Sequence, residues 1–136
     1  MTTVRDVMTQ GADSVQGSTT VLEVAKRLAA EDYGSLPICD GDKLQGMITD
    51  RDIVVKVLAQ GKDPASTQVI DLVQGEVVTI GADDTVEEAM RTMAEHQVRR
   101  LPVIDGTRLV GMLAQADLAL SDDDSRVGQT VENISE

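Results

Sequence analysis

Residues 46–52 read Gly-Met-Ile-Thr-Asp-Arg-Asp at the end of an apolar run. Gly46 permits close approach of another group, Thr49 places a hydroxyl where the apolar run ends, and Asp52 adds a carboxylate three residues later. A carboxylate can accept from both hydroxyls of a vicinal diol while a threonine fixes the sugar from the other side, so this pair suits ribose. The same residues also suit a helix start, with Thr49 or Asp50 as N-cap and Asp52 as a favourable first-turn acid, and that reading requires no ligand. Arg51 and Lys56, further along, read as surface residues or salt-bridge partners.

Other chemistry is sparse. No nucleophile–base pair, phosphate-binding glycine loop or metal cluster is visible, so the expectation is a protein that is not an enzyme, with no catalytic residue, no catalytic cofactor and no metal site. His96 is the only histidine and reads as a helix-end surface residue. Cys39, the only cysteine, ends an apolar strand and reads as a buried, inert thiol, with redox sensing the lesser alternative. Twenty-four acids against twelve bases give a net charge of −12, a field that repels phosphate backbones and anionic membranes. With no Trp, no Phe and only Tyr33, few faces exist on which bases could stack, and nucleic acid is excluded as a partner. A single cysteine, an N-terminus without an apolar leader and the lack of any run near the roughly 20 residues that span a bilayer point to a cytoplasmic protein with no membrane partner.

The elements that position Thr49 and Asp52 follow from an internal repeat. At an offset of 65, residues 4–54 align with 69–119 without a gap, and 14 of the 51 pairs are identical. Chance would give about three. The identities include turn and cap residues as well as core positions: Thr20-Val21 with Thr85-Val86, Leu36-Pro37 with Leu101-Pro102, Asp40-Gly41 with Asp105-Gly106, Gly46-Met47 with Gly111-Met112, and Asp52 with Asp117.

Each copy predicts the order β-α-β-β-α. A short strand near 14–15, or 77–80, precedes a helix over 20–31 with Val21, Val24, Ala25 and Leu28 on one face; its counterpart carries Val86, Ala89, Met90 and Met93. Ser18, Thr19 or Thr20 can cap the first of these helices, and Asp83 or Asp84 the second. Two strands joined by Asp-Gly follow, a strong hairpin signal, and then a helix from Asp50 to about Gln60. A helical turn is expected at 4–8 and again at 69–73. The fold class is thus α+β, with unit 1 at 1–64, unit 2 at 65–120 and an acidic, mobile tail at 121–136.

The β-α-β-β-α order, Leu-Pro-Ile/Val on the second strand, Gly-x-x-Thr-x-x-Asp at the third, and two copies in one chain together resemble the cystathionine-beta-synthase (CBS) domain family over about residues 4–120. The resemblance implies two pseudo-symmetric units packed sheet against sheet, forming a stand-alone sensor pair whose clefts take AMP, ADP, ATP or S-adenosylmethionine. It places Thr49 and Asp52 on ribose and Arg99 and Arg100, just before the second strand of the other unit, on phosphate; that arginine pair also reads as solvated charge. Asp117 is a further ligand candidate, but Ala114 replaces the threonine there and Gly34-Ser35 stand where the arginines would be. Inequivalent sites are therefore expected, the second one weak or vestigial. A homodimer is expected too, with an unnamed protein partner met in trans. The rival reading is a ligand-independent homodimeric assembly protein whose clefts have decayed.

Overall fold

The computed structural model describes residues 2–11, 13–31 and 34–121. Along the chain run a helical turn α1 (Val4–Val7), β1 (Thr9–Gln10), β2 (Val15–Gln16), α2 (Val21–Glu31), β3 (Ser35–Asp40), β4 (Lys43–Thr49) and α3 (Asp50–Ile53). A π-turn (Val54–Leu58), a 3-10 turn (Val69–Leu72), β5 (Ile80–Gly81), α4 (Val86–His96), β6 (Arg100–Asp105), β7 (Arg108–Ala114) and α5 (Gln115–Ser121) complete the order. This is an α+β chain. Tyr33 and the tail beyond Ser121 lie outside the described residues.

Local chemistry explains most of these elements. Val21, Val24 and Leu28 are buried along one face of α2, as are Val86, Ala89, Met90 and Met93 on α4. Burying each large side chain contributes about 1.5–3 kcal/mol, enough to fix which face turns inward. Gly41 and Gly106 close the two hairpins at φ 62° and 67°, a conformation that costs an L side chain but not glycine. The hairpins are in the same register, Pro37 opposite Met47 and Pro102 opposite Met112. β2 and β5 add in parallel at Val15↔Ile38 and Ile80↔Val103.

Three expectations change. The apolar run Val77–Ile80 looks like a strand, but pairing starts only at Ile80, where the offset from Val15 puts it. Asp83 and Asp84 do not cap α4: Thr85 does, its hydroxyl accepting from Glu88 N–H at 3.1 Å, while Asp84 accepts from Gly81 N–H at 2.8 Å. The helix after Asp50 is α-helical for one turn and then widens, Ala59 N–H donating to the Val54 carbonyl. Val54 and Val55 are β-branched and poor α-formers, and the wider turn carries Val57 into complete burial.

The packing units divide the chain differently from the repeat. One comprises residues 13–77; the other joins the N-terminal residues up to 12 to the stretch from 78 onward. In the first, Val21 N–H donates to the Thr67 carbonyl, Val69 N–H to Thr19 and Ile70 N–H to Gly17. In the second, Val86 N–H donates to the Thr2 carbonyl, Val4 N–H to Asp84 and Arg5 N–H to Ala82, the same three bonds displaced by 65. Each repeat therefore lends its leading helical turn to the core of the other. Val69 and Leu72 are buried with Val21, Val24, Ile48 and Val57, whereas Val4 is buried with Val86, Met93, Leu101 and Leu113. Arg5 also pairs with Asp83 and Asp105, at 3.3 Å each, and these carboxylates, Asp83 foremost, raise its pKa.

Candidate functional site

Thr49 ends β4 and caps α3. Its hydroxyl oxygen accepts from Asp52 N–H at 3.0 Å, and Asp52 Oδ2 accepts from Thr49 N–H at 3.0 Å. This reciprocal box is how the sequence starts a helix directly from a strand. The ligand-free alternative, a simple cap, is thus physically present. It does not exhaust the groups, because Thr49 keeps its O–H and a lone pair, and Asp52 Oδ1 takes no part in the box and keeps lone pairs beyond its ion pair with Lys56.

The pair faces a groove of about 260 Å³ within the unit of residues 13–77. One wall is Gly46, Met47, Thr49, Asp52 and Lys56; the other is the segment 72–77. Close approach at Gly46 is real, but the partner is Val73: a Cβ on Gly46 would lie 2.9 Å from Val73 Cγ1. Lys56 bridges the two walls, donating to the Leu72 carbonyl at 3.2 Å and pairing with Asp52 Oδ1 at 3.4 Å. The expected salt-bridge role of Lys56 is therefore present, and the residue also lines the groove. Arg51 is exposed, and Asp50 turns back to accept from Arg51 N–H.

The equivalent junction in the other unit is built differently. Asp117 Oδ2 accepts from Ala114 N–H at 2.8 Å, so half of the box survives without a hydroxyl to answer it. The edge of β7 beside Gly111 is taken by β1, with Thr9 opposite Met112 and Gln10 opposite Gly111. A Cβ on Gly111 would sit 2.6 Å from the Thr9 carbonyl oxygen and 2.7 Å from Met8 Sδ. Residues 74–75, the repeat equivalents of Thr9–Gln10, instead border the groove beside Gly46.

Arg99 is exposed and Arg100 half-buried at the start of β6. They line a shallow, largely apolar hollow of about 370 Å³ with Ala114, Gln115, Ala116 and Ala119, and Gln115 N–H donates to the Arg99 carbonyl. Thus the structure brings Thr49 and Asp52 together at one junction and sets Arg99 and Arg100 beside Ala114 at the other. Two contributors escaped the sequence reading, namely the 72–77 wall and the inward reach of Lys56. The only hint was the i, i+4 spacing of Asp52 and Lys56.

Cys39 is buried, and burial raises its thiol pKa although a hydrogen bond with Ser14 opposes the shift. His96 is exposed at the end of α4. Among the described residues no group of three or more His, Cys, Asp or Glu side chains could hold a metal ion, and no helix is long and apolar enough to cross a membrane.

The family model of the CBS domain matches residues 4–59 and again 69–122. Hypoxic response protein 1 of Mycobacterium tuberculosis is 44% identical over 120 residues, covering 88% of this chain and 84% of the relative. The crystal structure of that protein with two coordinated zinc ions superposes with a TM-score of 0.81 at 43% identity, covering 89% of this chain and 99% of the other. The CBS domain pair of protein MJ0100, in complex with 5′-methylthioadenosine and S-adenosylmethionine, is similar at a TM-score of 0.73 and 29% identity, covering 88% and 94%.

Proposed function

The chain belongs to the CBS domain family, with two copies of the domain, and from that premise we propose that it is a regulatory module, not a catalyst, whose ligand is an adenosine-type nucleoside or nucleotide seated at Thr49 and Asp52. The observation that carries the reading is the convergence of these two side chains, held in place by their reciprocal box, on a groove that the 72–77 segment walls on the opposite side. A pre-set carboxylate and hydroxyl need little reorganisation to accept and donate to a ribose diol. At about 260 Å³ the groove falls just below the usual range for drug-sized ligands, roughly 300–1,000 Å³, and suits a ligand of nucleoside size. The methylthioadenosine and S-adenosylmethionine bound by the MJ0100 pair support an adenosine scaffold.

Arg99 and Arg100 are proposed as anion contacts of the hollow they line beside Ala114, at the other junction. Asp117 is the proposed remnant of a second, weaker site, in keeping with Ala114 beside it and with β1 on the adjoining edge. The chain is also proposed to self-associate, because Val54, Val55 and Leu58 expose 55, 43 and 55% of their surface on successive turns of one helical segment. A protein partner in trans would read the ligand state.

Thermal melting with AMP, ADP, ATP, adenosine and S-adenosylmethionine tests the reading. Binding to the folded state alone raises stability by about 2.7 kcal/mol at a hundredfold excess over Kd. At least one of the five is expected to raise the midpoint. No shift with any of them would favour the rival reading, an assembly protein that needs no ligand.

A further inference from the structure

Resting on the nucleoside reading above, we propose that Lys56 is the residue that makes this groove select a 5′-phosphorylated nucleoside over the unphosphorylated one. Among the described residues lining the groove Lys56 is the one cation, set against the carboxylates of Asp52 and Glu76. Without it, an incoming phosphate would meet two negative charges and no positive one. With it, the Asp52 charge is already matched at 3.4 Å before the ligand arrives.

The ammonium is placed to do more than balance Asp52. It is two-thirds shielded, and it spans the groove from the helical segment to the Leu72 carbonyl. These two contacts use two of its three donors and leave one. A surface lysine paired only with its i−4 neighbour would be free to swing into water and would be worth little to a ligand. The Leu72 bond removes that freedom, and a fixed, partly desolvated cation interacts with an anion more strongly than a hydrated one. The widened turn at Val54–Leu58 presents this geometry, since it holds Lys56 between inward Val57 and outward Val55.

The test is calorimetric titration of the full chain with AMP and with adenosine, for the wild type, Lys56→Gln and Lys56→Arg. Glutamine removes the charge and keeps an N–H donor on a side chain one atom shorter; arginine keeps the charge. The wild type is expected to prefer AMP. In Lys56→Gln, AMP affinity should fall about tenfold while adenosine affinity stays within about twofold, and Lys56→Arg should restore the preference. Raising the salt should erode the AMP preference of the wild type and leave that of Lys56→Gln nearly flat. An AMP-to-adenosine ratio unchanged by Lys56→Gln, or an equal loss of both ligands, would overturn the proposal while leaving the nucleoside reading standing. Absence of adenosine and AMP binding in the wild type would sink the nucleoside reading, and this proposal with it.

Discussion

Thr49 and Asp52 each accept the other's backbone N–H at 3.0 Å, so the two residues proposed to grip ribose are also the lock that starts α3 from the end of β4. The same lock recurs in part elsewhere: Asp6 accepts from Thr3 N–H, Asp84 from Gly81 N–H and Asp117 from Ala114 N–H. Stability and binding are therefore entangled at Asp52. Thr49→Ala is expected to cost about 1 kcal/mol in urea unfolding, and Ala114→Thr to add a similar amount by completing the second box. Unchanged midpoints in both variants would show that the boxes contribute nothing.

The two equivalent glycines should differ in their tolerance of a methyl group. In Gly111→Ala the new Cβ meets the Thr9 carbonyl oxygen at 2.6 Å, so β1 must leave β7, at an expected cost of about 1–3 kcal/mol. In Gly46→Ala the obstacle is the Val73 side chain at 2.9 Å, and a smaller loss is expected. Chemical denaturation of the pair decides this, and an equal or reversed order would contradict the account of how the leading segments pack.

Self-association has a direct readout. Light scattering of the wild type at micromolar concentration is expected to report about twice the 14.5 kDa chain mass, and Leu58→Asp or Val54→Asp to report the chain mass itself. A wild type that runs as a single chain would remove the proposed role of the exposed Val54, Val55 and Leu58.

Much of this architecture is written locally, and that part was legible. The Asp-Gly hairpins and the buried faces of α2 and α4 follow from neighbours in sequence, and the offset of 65 from comparing the chain with itself. The exchange of leading turns was not legible, since Val4 and Val69 are equally apolar and nothing local says which core each will enter. The same gap hid the groove: Thr49 and Asp52 mark one wall, but the other belongs to residues 20 or more positions away along the chain. The wide turn at 54–58 was not legible either, since the β-branched Val54 and Val55 weaken an α-helix without saying that the turn will widen, and it is the burial of Val57 in the core that goes with the wider turn.

Cys39 gives a pH dependence whose sign can be stated. Burial raises its pKa, so with rising pH the unfolded chain ionises first while the folded chain still holds the proton. This contribution to stability is complete below the ordinary thiol value and is lost as pH climbs through it toward the folded value. Urea titrations across the alkaline range should show the decline in the wild type and a smaller one in Cys39→Val. A thiol reagent at mildly alkaline pH should react slowly with the native protein and fast in urea. Rapid native labelling would contradict the burial of this thiol.

The central claim is that a nucleoside sits on Thr49 and Asp52, and calorimetric titration with adenosine tests it most directly when Asp52→Asn is set beside Asp50→Ala and Asp117→Asn. Asparagine keeps an acceptor for Thr49 N–H, so the fold is retained while the charge is lost. The account expects wild-type binding near one site per chain, at least tenfold weaker binding in Asp52→Asn, and near-wild-type affinity in the other two. Equal affinity in the wild type and Asp52→Asn, or equal losses in all three variants, would contradict it.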